Sequence, residues 1–336
     1  MPSLLESQTA CSKSERSIMI KVVLAGNYPN QTFEKLRALL PEDAFDLSMV
    51  DNQQDYDAMT DAEIMILRIF KAPEEVIRRN TRLKMILRWG AGFDSVDIKA
   101  AGRRGILVTN TPGANANAVS ELAVLLMLAV GRKLLCHIES LKNGVWSKNT
   151  FLNSSFCLNN KRVGIIGGGN IGRQVADKVQ SFGASVQYYD VFRLPNATEQ
   201  AHNMTFVPLE TLLETSDIIS LHIPLLESTH HIIGAEELQR MKHGAIIINT
   251  ARGGLIDDHA LAEAVRSGKL AGAGLDVVED EPLPRDHVLL KDPNIIVTPH
   301  VAGGTADIGD IILPMLVKDI LSFAAGTEPA HVVNLP

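Results

Sequence analysis

Residues 163–176 read VGIIGGGNIGRQVA, and this stretch decides the fold. An apolar run at 163–166 breaks at Gly167, Gly169 and Gly172, spaced GxGxxG, and passes into an amphipathic segment at 170–182. Strand, glycine turn and helix in that order form the mononucleotide-binding unit of a doubly wound sheet. The first glycine permits the tight turn, the second lets backbone approach a pyrophosphate, and the third lets helix and strand pack closely. Phosphate then lies at the positive end of the helix. The next strand, 185–189, is followed by Asp190, roughly 20 residues beyond the glycines, where a carboxylate accepts hydrogen bonds from an adenosine ribose. A carboxylate there repels the 2'-phosphate of NADP, so NAD is the expected cofactor. Arg193 is the nearby cation within reach of such a phosphate.

On both sides of this unit, short β-rich runs alternate with amphipathic ones, the rhythm of a parallel sheet. Strands are expected at 20–25, 45–50, 62–69 and 83–88, with helices at 32–40 and 73–79. A second series has strands at 163–166, 185–189, 217–222, 245–249, 271–277 and 294–298. Between the series lies TNTPGANANAVSE, rich in Pro, Gly and Asn, followed by an apolar helix that ends near Arg132; it marks a boundary near residue 112. A second long helix follows His300, which suggests that the chain returns to the first domain. The expected plan is a mobile extension at 1–18, a substrate-binding domain of 19–112 with 304–336, and an NAD-binding domain of 113–303. The fold class is α/β: two doubly wound parallel-sheet domains, a Rossmann domain and a smaller flavodoxin-like one, with a cleft between them. Met19 is a second candidate start codon.

Composition narrows the function classes. The chain has 336 residues, 46% hydrophobic and 21% charged, which suits about two globular domains and excludes a disordered chain. Lys+Arg 32 against Asp+Glu 39 leaves a formal charge of -7 and no basic stripe, so nucleic acid is not an expected partner. The longest apolar stretch, 122–131, is half the length of a membrane span, so no membrane partner is expected either. Cys11, Cys136 and Cys157 show no paired spacing, and 1–17 lacks the apolar core of a signal peptide. A cytoplasmic protein is expected. No histidine–carboxylate cluster has metal-ligand spacing, so no metal is expected.

Ligands in doubly wound folds bind beyond the carboxyl ends of strands, and three polar residues stand there. Arg252 follows AIIINTA and precedes Gly253 and Gly254; its planar fork suits a carboxylate. Glu281 follows LDVVED and precedes Pro282, while His300 ends NIIVTPH. Singly, each has an ordinary reading: a solvated salt bridge, a surface acid, a structural histidine. Together they supply a carboxylate-binding cation, an imidazole that exchanges a proton near neutral pH, and an acid that orients it. Beside a nicotinamide, that set suits hydride transfer between a 2-hydroxy acid and its 2-oxo acid.

The segments LKMILRWGAGFDSVD, NTPGANANAVSELAVLLMLA, VGIIGGGNIG, SDIISLHIPLLEST, MKHGAIIINTARGGLIDD, GAGLDVVEDEPLP and NIIVTPHVAGGT resemble the D-isomer-specific 2-hydroxyacid dehydrogenase family, and in particular its 3-phosphoglycerate-dehydrogenase-like branch. The resemblance covers nearly the whole chain from Met19. It implies that Arg252 binds the substrate carboxylate and carbonyl, that His300 is the acid/base, and that Glu281 pairs with it. It further implies that Asn170 and Ile171 lie on the pyrophosphate, and that Asp190 is the ribose acid and Asp276 the aspartate near the nicotinamide amide. Ile223, Pro224, Thr250 and Ala251 match other cofactor-lining positions. The loop Trp89, Gly90, Ala91, Gly92 matches one whose backbone N–H groups face the substrate carboxylate, with Ala91 also beside the cofactor. Arg68 matches the arginine at the anionic end of the substrate, with Lys71 and Arg88 near it in sequence; its ordinary reading is a pair with a surface carboxylate. A homodimer built through the helix after Asn117 is implied as well.

Two departures concern the substrate. Trp89 is bulky where phosphoglycerate enzymes usually carry a small residue, and Gly304 stands where they usually carry serine. The chain ends at Pro336, so feedback by serine through an appended domain is not expected. Candidate substrates are 3-phosphoglycerate, hydroxypyruvate, glyoxylate and D-lactate. Two other readings compete: a formate-dehydrogenase-like enzyme, against which Glu281 argues, and a non-catalytic, NAD-sensing corepressor-like protein.

Overall fold

The computed structural model describes residues 19–29, 31–146 and 148–334, so the expected extension at 1–18 lies outside the described residues. The chain divides into two compact units: Met1–Pro112 with Gly309–Pro336, and Gly113–Ile308. The second crossing thus falls at Gly309 rather than at residue 304. The reason is local: the amides of Val301 and Ala302 are bound by Asp276, and Gly304 donates to the Val301 carbonyl at 2.8 Å, so the chain stays with the second unit until the next helix begins.

The first unit has strands β1 (Ile20–Ala25), β2 (Phe45–Val50), β3 (Ile64–Leu67), β4 (Met85–Arg88) and β5 (Leu107–Thr109). They form one parallel sheet in the order β2-β1-β3-β4-β5, the flavodoxin-like order. β3 reads IMIL and is buried throughout, as a strand covered on both faces must be. Order reverses between β1 and β3, so the segments after them, carrying Tyr28 and Arg68, flank this unit's switch point. Two helices unexpected from periodicity, Gln53–Ala58 and Ile98–Arg103, are fixed at their starts by Asn52 and Asp97, which accept the amides of Asp55 and Ala100. The carboxyl-terminal segment seals the sheet edge: Val332 bridges Thr109, and Asn334 accepts from the Val108 amide and donates to the Ile106 carbonyl, each at 2.8 Å.

The second unit has strands β6 (Arg162–Ile166), β7 (Ser185–Tyr189), β8 (Thr205–Phe206), β9 (Ile218–Leu221), β10 (Ala245–Asn249), β11 (Leu270–Leu275) and β12 (Ile295–Val297). All are parallel, in the order β12-β11-β10-β9-β6-β7-β8. Side chains alternate between two cores: Val163, Ile165, Ile246 and Ile248 face the helices Ala116–Gly131 and Asn170–Ser181, while Ile166 and Ile247 face the helix Asp258–Arg266. The apolar stretch around 122–131 is the buried helix Ala116–Gly131, and no helix among the described residues is long and apolar enough to cross a membrane. Here the switch point lies between β6 and β9.

Candidate active site

The turn after β6 is shaped by contacts that exclude side chains. A Cβ on Gly167 would come within 2.5 Å of the His222 carbonyl oxygen, and one on Gly172 within 2.0 Å of the Gly167 carbonyl oxygen. Gly169 differs, because its Cβ position faces open space. It is the N-cap of Asn170–Ser181, and no side chain caps the helix amides there. Open space at the positive end of an uncapped helix is what a pyrophosphate requires. Asp190 accepts the Gly168 amide at 2.8 Å and the Phe192 amide at 3.2 Å, which fixes the carboxylate at the end of β7. Arg193 is committed elsewhere: its Nε and Nη2 reach the two oxygens of Glu199 at 2.9 Å each, and that guanidinium with the Tyr188 hydroxyl holds the Glu199 carboxyl down at about 2. At the ends of β9 and β10, Ile223, Pro224, Thr250 and Ala251 follow the strands directly, and the buried Thr250 Oγ1 has no hydrogen-bond partner. His222 is neutral, since burial alone pushes it down to about 3. These features fit NAD.

Beyond β10, the Asn249 side chain grips the turn from both sides. It accepts the Ala251 amide at 3.0 Å and donates to the Arg252 carbonyl at 2.8 Å. Gly253 must be glycine, because a Cβ would lie 1.8 Å from the Val278 carbonyl oxygen. This contact lays the Arg252 turn against the segment that carries Glu281. His300 adopts a left-handed conformation, φ 53, uncommon for a residue with a side chain. Asp276 stabilises it: the Asp276 carbonyl accepts the His300 amide at 2.8 Å, and the buried carboxylate accepts from Thr298 Oγ1, Val301 N and Ala302 N at 2.6, 2.9 and 2.8 Å. In this position His300 Nδ1 reaches Glu281 Oε2 at 2.8 Å. The hydrogen bond from Glu281 raises the His300 pKa above the usual imidazole value, against burial and the nearby Arg252 charge. Burial of Glu281 acts upward, yet the His300 hydrogen bond and charge hold its carboxyl below the ordinary glutamate range. Arg252, Glu281 and His300, far apart in sequence, thus converge at the ends of β10, β11 and β12.

In the first unit Trp89 is buried and meets Tyr28 edge-on, ring centroids 5.0 Å apart. Gly90 follows with φ 139, and its carbonyl accepts the Thr111 amide at 3.1 Å, while Asn110 donates to the Ala91 carbonyl at 2.6 Å. Arg88 buttresses this loop from beneath, donating to the carbonyls of Gly92, Leu67 and Arg68 at 3.1, 2.8 and 3.0 Å. Arg68 donates to the Asn27 carbonyl, and among the described residues no carboxylate pairs with it. Sequence reading missed Asn249, Tyr28 and a cluster of His230, His231 and Glu279 that no sequence spacing announces.

A switch-point cradle and, at the ends of strands of the same sheet, an imidazole held by a carboxylate fit a nucleotide-dependent oxidoreductase. Residues 124–302 match the family described as D-isomer specific 2-hydroxyacid dehydrogenase, NAD binding domain. A hydroxypyruvate reductase of Thermotoga maritima is 44% identical over 251 residues, 74% of this chain and 80% of that protein. A glyoxylate reductase of Thermococcus litoralis is 38% identical over 269 residues, 79% of this chain and 81% of its own length. Among solved structures, D-lactate dehydrogenase from Aquifex aeolicus, complexed with NAD and lactic acid, superposes with a TM-score of 0.82 at 29% identity, covering 94% of this chain and 99% of that one. The chain belongs to the D-isomer specific 2-hydroxyacid dehydrogenase family. It is an NAD-dependent oxidoreductase that interconverts 2-hydroxy and 2-oxo acids, acting on the CH–OH group of its donor.

Proposed function

We propose that this protein reduces small unphosphorylated 2-oxo acids of the glyoxylate and hydroxypyruvate type. The observation that carries the reading is Trp89, buried against Tyr28 immediately before the Gly90–Gly92 loop, where its bulk limits the substrate to a short side chain. The names of the glyoxylate and hydroxypyruvate reductase relatives support it.

NAD, when bound, supplies or takes up the hydride. The helix amides at Gly169, Asn170 and Ile171 hold its pyrophosphate, with Gly167 and Gly172 shaping the turn; Asp190 takes the ribose hydroxyls, and Ile223, Pro224, Thr250, Ala251 and Asp276 line the remainder. Ala91 and Gly92, whose amides have no acceptor among the described residues, bind the substrate carboxylate, and Gly90, whose own amide donates to the Arg88 carbonyl at 3.0 Å, positions them. Arg252 binds the carboxylate and polarises the carbonyl. Glu281 occupies Nδ1 of His300, so Nε2 is the atom that gives the proton to the substrate oxygen in reduction and takes it back in oxidation. Glu281 thereby fixes the ring orientation and favours the protonated state needed for reduction. The unit carrying Trp89 is the substrate-binding domain, and the unit carrying the glycine turn is the NAD-binding domain.

A second reading has its own observation. Arg68 stands at the first unit's switch point with no carboxylate partner among the described residues, a placement suited to a phosphate on the substrate. NADH oxidation against glyoxylate, hydroxypyruvate, pyruvate and 3-phosphohydroxypyruvate decides between them. At least a tenfold higher kcat/KM for glyoxylate or hydroxypyruvate is expected. Preference for the phosphorylated acid, lost in Arg68→Gln, overturns the first reading in favour of the second. We further propose a cytoplasmic homodimer. Exposed Leu134, Ile138, Leu141 and Trp146, beyond the helix Ala116–Gly131, support a partner surface. Free Cys136 and Cys157 suit a reducing compartment.

A further inference from the structure

We propose that His230, His231 and Glu279 form a binding site for a divalent cation of the zinc, cobalt or nickel class, separate from the hydride-transfer residues. His231 Nε2 lies 3.2 Å from both carboxylate oxygens of Glu279, and His230 Nε2 lies 3.5 Å from Oε1. One ligand atom from each of the three residues falls within 4.8 Å of the others. Neighbouring side chains along a chain ordinarily diverge. Here a left-handed backbone at His231, φ 49, brings the two rings into a stack with centroids 3.9 Å apart, both facing the same carboxylate.

The backbone on each side is anchored before any ion arrives. His231 donates to the Gly254 carbonyl at 2.7 Å and Ile233 to the Leu255 carbonyl at 3.1 Å, while the Glu279 amide is bound by the buried Asp258 carboxylate at 3.1 Å. A preformed arrangement lowers the ordering cost of binding. Two imidazoles and one carboxylate are a borderline-soft set that suits Zn²⁺, Co²⁺ or Ni²⁺ better than the all-oxygen preference of Mg²⁺ or Ca²⁺. Three protein ligands leave a fourth position for solvent, and the exposed side chains open the site directly to water.

The location gives the ion a consequence. Glu279 stands two residues before Glu281, and the Val278 carbonyl abuts Gly253 next to Arg252. A bound ion ties the turn at 230–231 to the segment 278–281, stiffening the loop from which Glu281 reaches His300. It thus acts as a clip on that loop and takes no part in the proton or hydride steps.

Titration of the chelator-treated full chain with Co²⁺, followed by visible absorption and then by displacement with Zn²⁺, tests the site. One Co²⁺ per chain is expected, with nitrogen and oxygen ligation and a dissociation constant tighter than about 10 µM. Zn²⁺ is expected to raise the thermal midpoint through linkage. His231→Gly, which suits the left-handed backbone while removing a ligand, and His230→Ala should each weaken binding at least tenfold and abolish the thermal shift. Turnover of His230→Ala without metal should match the parent. Undetectable Co²⁺ binding, or binding equally tight in both variants, overturns the proposal. So does a thiolate-to-metal charge-transfer band, which would place the ion on a cysteine.

Discussion

Nδ1 of His300 lies 2.8 Å from Oε2 of Glu281, joining the loop after β12 to the loop after β11, while Nε2 has no hydrogen-bond partner among the described residues. Because this contact raises the His300 pKa, the role proposed for His300 as proton donor predicts that reduction of a 2-oxo acid proceeds at full kcat/KM below that raised value. It should decline as pH rises through it. Glu281→Gln removes the charge that favours the imidazolium, so the declining limb should move to lower pH, towards the usual imidazole value, with a rate loss of roughly 10²-fold near neutrality. A pH–rate profile of the two proteins measures both effects. A limb that stays in place in the variant contradicts the role given to Glu281.

Asp276 holds the histidine loop more directly than Glu281 does. Its buried carboxylate accepts three donors from the segment on either side of His300. Asn at this position offers one acceptor oxygen and sets an N–H₂ group against an amide donor. Asp276→Asn should therefore cost about 2–4 kcal/mol of stability, and kcat should fall as the left-handed conformation at His300 loses its support. Thermal unfolding and kcat, measured together, check this; an unchanged midpoint would show that the clamp carries little.

The glycine turn and the paired strand series were legible in the sequence because they rest on local chemistry. GxGxxG after an apolar run dictates backbone conformation, and β3 and β10 are apolar because both of their faces are covered. Arg252, Glu281 and His300 were legible as residues following strands, since in this topology all strand ends of one sheet share an edge. The Asn249 grip and the three-donor clamp of Asp276 were not, because all their partners but the Thr298 hydroxyl are backbone N–H and C=O groups, which look alike in every sequence. The helices Gln53–Ala58 and Ile98–Arg103 are too short to show periodicity and are marked by their caps. The gathering of His230, His231 and Glu279 depends on the pairing of distant segments and on one left-handed residue, neither of which spacing reveals.

Two glycines near the site should respond in opposite ways to the same added methyl group. Gly253→Ala drives a Cβ into the Val278 carbonyl at 1.8 Å, so the backbone must move, at a cost of about 2 kcal/mol or more, and Arg252 moves with it. Gly169→Ala meets nothing within 4 Å, so the fold should keep its thermal midpoint. The methyl then occupies the approach of the pyrophosphate, and NADH affinity should fall at least tenfold, about 1.4 kcal/mol. Calorimetric unfolding and NADH titration of both variants separate the two effects. Unchanged NADH affinity in Gly169→Ala would remove that glycine from the cradle.

Selection between NAD and NADP should rest on Asp190 together with the arrangement that keeps Arg193 away from it. In the role proposed for it, Asp190 repels a 2'-phosphate, while Arg193, the nearby cation in sequence, is held by both oxygens of Glu199. Asp190→Ala should narrow the NADH/NADPH ratio of kcat/KM roughly tenfold by removing repulsion alone. Glu199→Gln on its own should leave the ratio nearly unchanged, because the Asp190 carboxylate remains to repel the phosphate. Combined with Asp190→Ala, it should raise NADPH use several-fold further, since a free guanidinium can then pair with the phosphate. Steady-state kinetics with both cofactors tests each step. An unaltered ratio in Asp190→Ala removes the aspartate from cofactor selection, and a double variant no better than Asp190→Ala shows that Glu199 was not what restrained Arg193.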